Sequence, residues 1–108
     1  MATTTICPHP GHATLINVFT VAPERQRELV DLLIDATEQV IQHVPGFISA
    51  NIHASIDGTR VVNYAQWESA EALQAMLADP AAQKHTSAAA AIAAFDPHLY
   101  TVESVHHR

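Results

Sequence analysis

Positive charge is scarce in this chain. Arg25, Arg27, Arg60, Lys84 and Arg108 are its only Lys or Arg residues against 11 acidic ones, for a formal charge of −6. They are scattered and form no stripe that could neutralise a row of phosphates, which excludes nucleic acid as a partner. Long apolar runs are also missing. None approaches the roughly 20 residues that span a bilayer, so no membrane partner is expected. Cysteine occurs once, at Cys7, and no internal disulfide can form. That fits a reducing, cytoplasmic setting, and Cys7 itself reads as an inert residue of a frayed tail, with a reactive thiol as the alternative. Met1 to Gly11 has neither a basic start nor an apolar stretch and signals no secretion. No Ser-His-Asp order, Gly-rich phosphate loop or Cys-x-x-Cys pair supports a hydrolase, a nucleotide enzyme or a thiol redox protein. His9, His12, His43, His98, His106 and His107 lack metal-ligand spacing on a defined element and read as surface residues.

What is present suits one small globular domain. The chain has 108 residues, 48% of them hydrophobic, enough for a single modest core. Residues 1–12, with three threonines, two prolines and a glycine, read as a flexible N-terminal arm, and 13–108 as the domain. Ala13 to Val21 is a β-branched run in which Leu15, Asn17, Phe19 and Val21 share one side. Pro23 and Glu24 open a helix. Leu29, Leu33, Ala36, Val40 and Val44 carry its apolar stripe until Pro45-Gly46 stops it.

Phe47 to Ser55 and Arg60 to Trp67 are extended runs joined through Asp57-Gly58, a strong hairpin signal. With those two residues at the turn, Ala54 faces Val61, Ile52 faces Asn63, Ala50 faces Ala65 and Ile48 faces Trp67, all on one face. Ser49, Asn51, His53, Val62, Tyr64 and Gln66 take the other. A helix through Leu73, Met76 and Leu77 follows, and Pro80 starts another that runs through the alanines from Ala88 to Ala94. Phe95-Asp96-Pro97 is expected to end it, and His98 to Val105 to form the last strand. The order is βαββαβ: an α+β, ferredoxin-like antiparallel sheet with helices on one face. The polar but uncharged second face suits pairing with another copy, as a homodimer.

Val44-Pro45-Gly46-Phe47, His53-Ala54-Ser55, Asp57-Gly58-Thr59 and the run from Val61 to Ser69 resemble the antibiotic biosynthesis monooxygenase family. The likeness is to its branch that oxidises anthrones to quinones in aromatic polyketide pathways. It is dense over residues 44–69 and diffuse from Ala13 to Val105. The resemblance implies a dimeric α/β barrel, one cleft per subunit between sheet and helices, and O2 as co-substrate with no flavin, haem or metal. Asn63 is the informative position, since commoner members carry an apolar residue there. Departures are visible too. Leu73 stands where the quinone-forming branch has a tyrosine, Lys84 or His85 where it has an arginine, and Met76 where many members have a histidine. Haem-degrading relatives offer an alternative. They pair an asparagine like Asn17 with a haem-ligating histidine near His85, although Met76 replaces their tryptophan.

Oxidising an anthrone without a cofactor requires an apolar slot with a few directed donors. The substrate anion supplies the electrons. Asn63 stands alone among apolar neighbours on the inner hairpin face. A buried amide left unpaired costs about 1–3 kcal/mol, so it serves either a substrate or a structural hydrogen bond. Trp67 offers an aromatic floor and an N–H donor, or is a plain core residue. His85 can exchange a proton near neutral pH, or is a solvated helix residue. The expected catalytic set is therefore Asn63, Trp67 and His85. The expected substrate-binding set is Asn17, Phe19, Ile48, Ile52, Leu73 and Met76, around a small aromatic substrate. A non-catalytic dimer binding such a ligand is the remaining reading.

Overall fold

The computed structural model describes residues 2–108. Strand β1 is Ala13–Val21, followed by a 3-10 turn at Pro23–Arg25 and helix α1 at Gln26–Gln39. A second 3-10 turn, Ile41–His43, leads into the hairpin of β2 (Phe47–Ala54) and β3 (Arg60–Trp67). Helices α2 (Ala70–Ala78) and α3 (Pro80–Ala90) precede β4 (Ala93–Tyr100). The sheet is antiparallel in the order β2-β3-β1-β4, which is the ferredoxin-like arrangement.

The hairpin turn is local chemistry. Asp57 accepts from the Ser55 hydroxyl at 2.8 Å, from the Thr59 hydroxyl at 2.7 Å and from the Thr59 N–H at 3.0 Å. Gly58, at φ 83°, occupies the left-handed conformation that such a turn asks of glycine. The Thr59 hydroxyl and N–H, then the Ser55 hydroxyl, hold the Asp57 carboxyl down to about 2 from its usual 3.8. The resulting register has Ala54 against Val61, Ile52 against Asn63 and Ala50 against Ala65.

At the far end the expected register fails. A β-bulge between Phe47 and Ser49 sets Phe47, not Ile48, opposite Trp67. The cause lies just before it. Gly46 has φ 90°, its carbonyl accepts from the Glu68 N–H at 2.8 Å, and a Cβ there would stand 2.5 Å from the Ala72 Cβ. Helix α2 thus presses on the strand entry, and one extra residue is extruded. Ile48 is that residue, and it is exposed.

Two other boundaries move. The first helix breaks at Val40, which has φ −129° and ψ −62°, rather than continuing to Val44. This break lets Val40, Ile41 and Val44 fold over the Trp67 end of the sheet. Helix α3 stops at Ala90, and β4 begins at Ala93, so Phe95-Asp96-Pro97 lies inside the strand instead of ending the helix. Proline is tolerated because β4 is an edge strand with one side free of ladder hydrogen bonds.

The core falls into two clusters on the helix side. Ala13, Ala65, Trp67, Leu73, Met76 and Ala82 form one, and Phe19, Val21, Leu29, Val30, Val61 and Ala89 the other. On the opposite face, part of the arm is seated. The Gln66 amide accepts from the Cys7 N–H at 2.9 Å and donates to the Cys7 carbonyl and the Thr14 hydroxyl, each at 3.0 Å. The Thr4 hydroxyl adds a bond to Asn51 at 2.7 Å.

Candidate active site

Between the two core clusters the helices stand off the sheet and leave a cavity of about 170 Å³ that opens to solvent. That is below the roughly 300–1,000 Å³ usual for small-molecule sites, so a fused-ring ligand would extend into the open mouth. Strand β1 supplies Leu15, Asn17 and Phe19, β3 supplies Asn63, and β4 supplies Phe95 and Pro97. Leu33 and Ala36 of α1 with Ile41 form one side, and Met76, Leu77, His85, Thr86 and Ala89 of α2 and α3 the other. The aromatic contribution is a tilted pair, Phe19 and Phe95, with ring centres 6.0 Å apart.

Polarity is confined to two places on this wall. The first is the sheet floor, where Asn17 and Asn63 are register partners on adjacent strands, with Cβ atoms roughly 5 Å apart as such pairs are. The amide oxygens of both are buried without a hydrogen-bond partner. The second is α3, where His85 and Thr86 border the cavity. His85 is the only ionisable residue in the lining. The side chains whose titration is displaced lie elsewhere: Asp57 in the hairpin turn, and Arg25 and Glu28 in an exposed ion pair at the start of α1 that raises the guanidinium and lowers the carboxyl.

Of the residues expected from sequence, Asn17, Phe19, Asn63, Met76 and His85 meet around this cavity. Trp67 does not border it. It is fully buried, edge-on to Phe47 with ring centres 5.4 Å apart, and its indole N–H has no partner. Met76, of the same cluster, and Leu15 and Ile41, which pack against it, also line the cavity, so the indole belongs to the core behind that wall. Leu73 belongs wholly to that core cluster and Ile52 packs against the other one. Ile48 is outside, on the bulge. Lys84 is exposed and contributes nothing to the lining.

Sequence reasoning missed Phe95 and Pro97, because the expected last strand started at His98 and not at Ala93. It also missed Leu33 and Ala36, and Thr86. The helical spacing of Leu33 and Ala36 marks one face of α1, but nothing in that spacing separates a cavity wall from a core.

Comparison with known proteins now bears on this geometry. The family model described as antibiotic biosynthesis monooxygenase matches residues 12–88. The chain is 58% identical over 81 residues to tetracenomycin-F1 monooxygenase of Streptomyces glaucescens, covering 75% of this chain and 72% of that protein. Among solved structures it is similar to the ActVA-Orf6 monooxygenase of Streptomyces coelicolor bound to nanaomycin D. The identity is 34% and the TM-score 0.81, over 94% of this chain and 96% of that one. SnoaB, a cofactor-independent oxygenase from Streptomyces nogalater, shares the fold at TM-score 0.72 and 24% identity, over 88% and 96% of the two chains. A sheet with helices on one face, a cavity between them, and a matching model over most of the chain lead to one conclusion: this protein belongs to the antibiotic biosynthesis monooxygenase family.

Proposed function

We propose that this protein is a cofactor-independent monooxygenase that oxidises a fused aromatic, polyketide-like anthrone or hydroquinone to a quinone with O2. Support comes from the resemblance to tetracenomycin-F1 monooxygenase and from a cavity with a mainly apolar lining and an open mouth. The carrying observation is the Asn17–Asn63 pair. Two carboxamides whose oxygens have no protein partner, side by side in an apolar floor, are suited to accept from a ligand hydroxyl while their N–H groups donate to a ligand oxygen.

For an anthrone the reaction balances with O2 alone. Loss of a benzylic proton gives a delocalised anion, which passes one electron to O2. The radical pair joins to a hydroperoxide, and loss of one water leaves the quinone carbonyl. The side-chain N–H groups of Asn17 and Asn63 donate to the oxygen on which the anion's charge collects. His85 moves protons at the opposite wall, in the role for which the resemblance leads one to expect an arginine. Trp67 keeps Met76 in place and offers its free N–H when that side chain shifts. The working unit is a homodimer in the cytoplasm, and no described helix is long and apolar enough to cross a membrane.

The test is metal-free protein under air with emodin anthrone, following quinone absorbance and O2 uptake. One O2 consumed per quinone is expected, with Asn63→Ala and Trp67→Phe both slower than wild type. Turnover no faster than spontaneous autoxidation, or two variants at wild-type rate, defeats the reading. The haem alternative keeps one observation, that Asn17 and His85 line the same cavity. A Soret band on adding haemin, lost in His85→Ala, is its requirement.

A further inference from the structure

The cavity has a second polar station that the asparagine pair does not explain. Thr86 borders the cavity from α3 and is itself exposed, which puts it on the rim. Its hydroxyl donates to the Ala82 carbonyl one turn back, at 3.0 Å. A hydroxyl has one proton and two lone pairs, so this bond leaves Thr86 as an acceptor only. A ligand group that pairs with it must bring the hydrogen. The polar residues of the sheet floor, Asn17 and Asn63, lie on the other wall, and the lining residues of α1 and α2 are apolar.

We propose that Thr86 is a specificity-determining residue that reads a phenolic O–H on the edge of the substrate remote from the asparagines. The preferred substrate class is therefore a fused aromatic bearing oxygen on two separate edges. One edge, where the charge develops, lies on Asn17 and Asn63, and the other, a terminal ring with a free phenol, lies at the rim against Thr86. This rests on the oxygenase reading for the word substrate, but the predicted contact is one of binding.

Emodin anthrone and chrysophanol anthrone separate the two ideas, because they differ by a single phenol on a terminal ring. Thr86→Val keeps the side-chain shape and removes the acceptor. It is expected to raise KM for emodin anthrone about three- to tenfold, the range for one neutral hydrogen bond, leaving its kcat unchanged. Both constants for chrysophanol anthrone stay put, and Thr86→Ser behaves as wild type. Absorbance titration with the two quinones, emodin and chrysophanol, reads the same contact without turnover. Wild type prefers emodin and Thr86→Val does not. A wild type that oxidises neither anthrone while keeping the Thr86-dependent preference defeats the oxygenase reading and leaves this one standing. Equal effects of Thr86→Val on both ligands, or none on either, overturn the assignment of Thr86.

Discussion

Strand β3 carries two carboxamides three residues apart, one on each side of the sheet, and the fold treats them in opposite ways. Gln66 is fully buried on the outer face and has partners for its oxygen and its nitrogen, in Cys7 and Thr14. Asn63 points to the helix side, where its oxygen is buried with no partner at all. The same contrast holds between their neighbours on β1. Thr14 is bonded, and Asn17 is not. Buried polar groups in native proteins are nearly always satisfied, so the outer amide reads as architecture and the inner one as a place kept for something else.

Three substitutions break or sharpen that contrast. The largest effect belongs to Asn63→Leu, expected to cut kcat about a hundredfold, as loss of a donor to a developing charge does. Its thermal stability should hold or rise, because an unpaired amide disappears. Next comes Gln66→Leu, with the opposite signature. It strands the Cys7 backbone and the Thr14 hydroxyl, so unfolding in urea should reveal a loss of about 2 kcal/mol, while kcat in the folded range stays put. If both variants lose stability and activity in parallel, the two amides are not different in kind. The smallest effect is that of Asp57→Asn, away from both faces. The carboxyl titrates lower folded than unfolded, at about 2 against 3.8. Its contribution to stability is complete above the higher value and disappears as pH falls towards the lower. Melting curves of wild type should decline over that window more than those of Asp57→Asn.

Asn63's place was legible in the sequence because Asp57-Gly58 fixes the register from the turn outward, and alternation does the rest. Local rules reached as far as Ala50 and failed at Ile48. There the bulge is made by α2 meeting Gly46, residues separated by the whole hairpin. Pro97 misled for a related reason. Proline breaks central strands, and only topology reveals that β4 is an edge. Trp67 shares Asn63's side of the strand, yet it is taken up by the core cluster and does not border the open space, which no periodicity encodes. The clasp between Cys7 and Gln66 joins positions 59 apart, and the seating of the arm went unforeseen with it.

Two unpartnered amide oxygens on one hollow, those of Asn17 and Asn63, have a bearing on how long the molecule lasts. A ligand that supplies those hydrogen bonds binds the folded chain and not the unfolded one, so it raises the melting temperature by mass action. The vacant enzyme is accordingly the form most open to heat and proteases. Its lifetime tracks the supply of the compound it consumes.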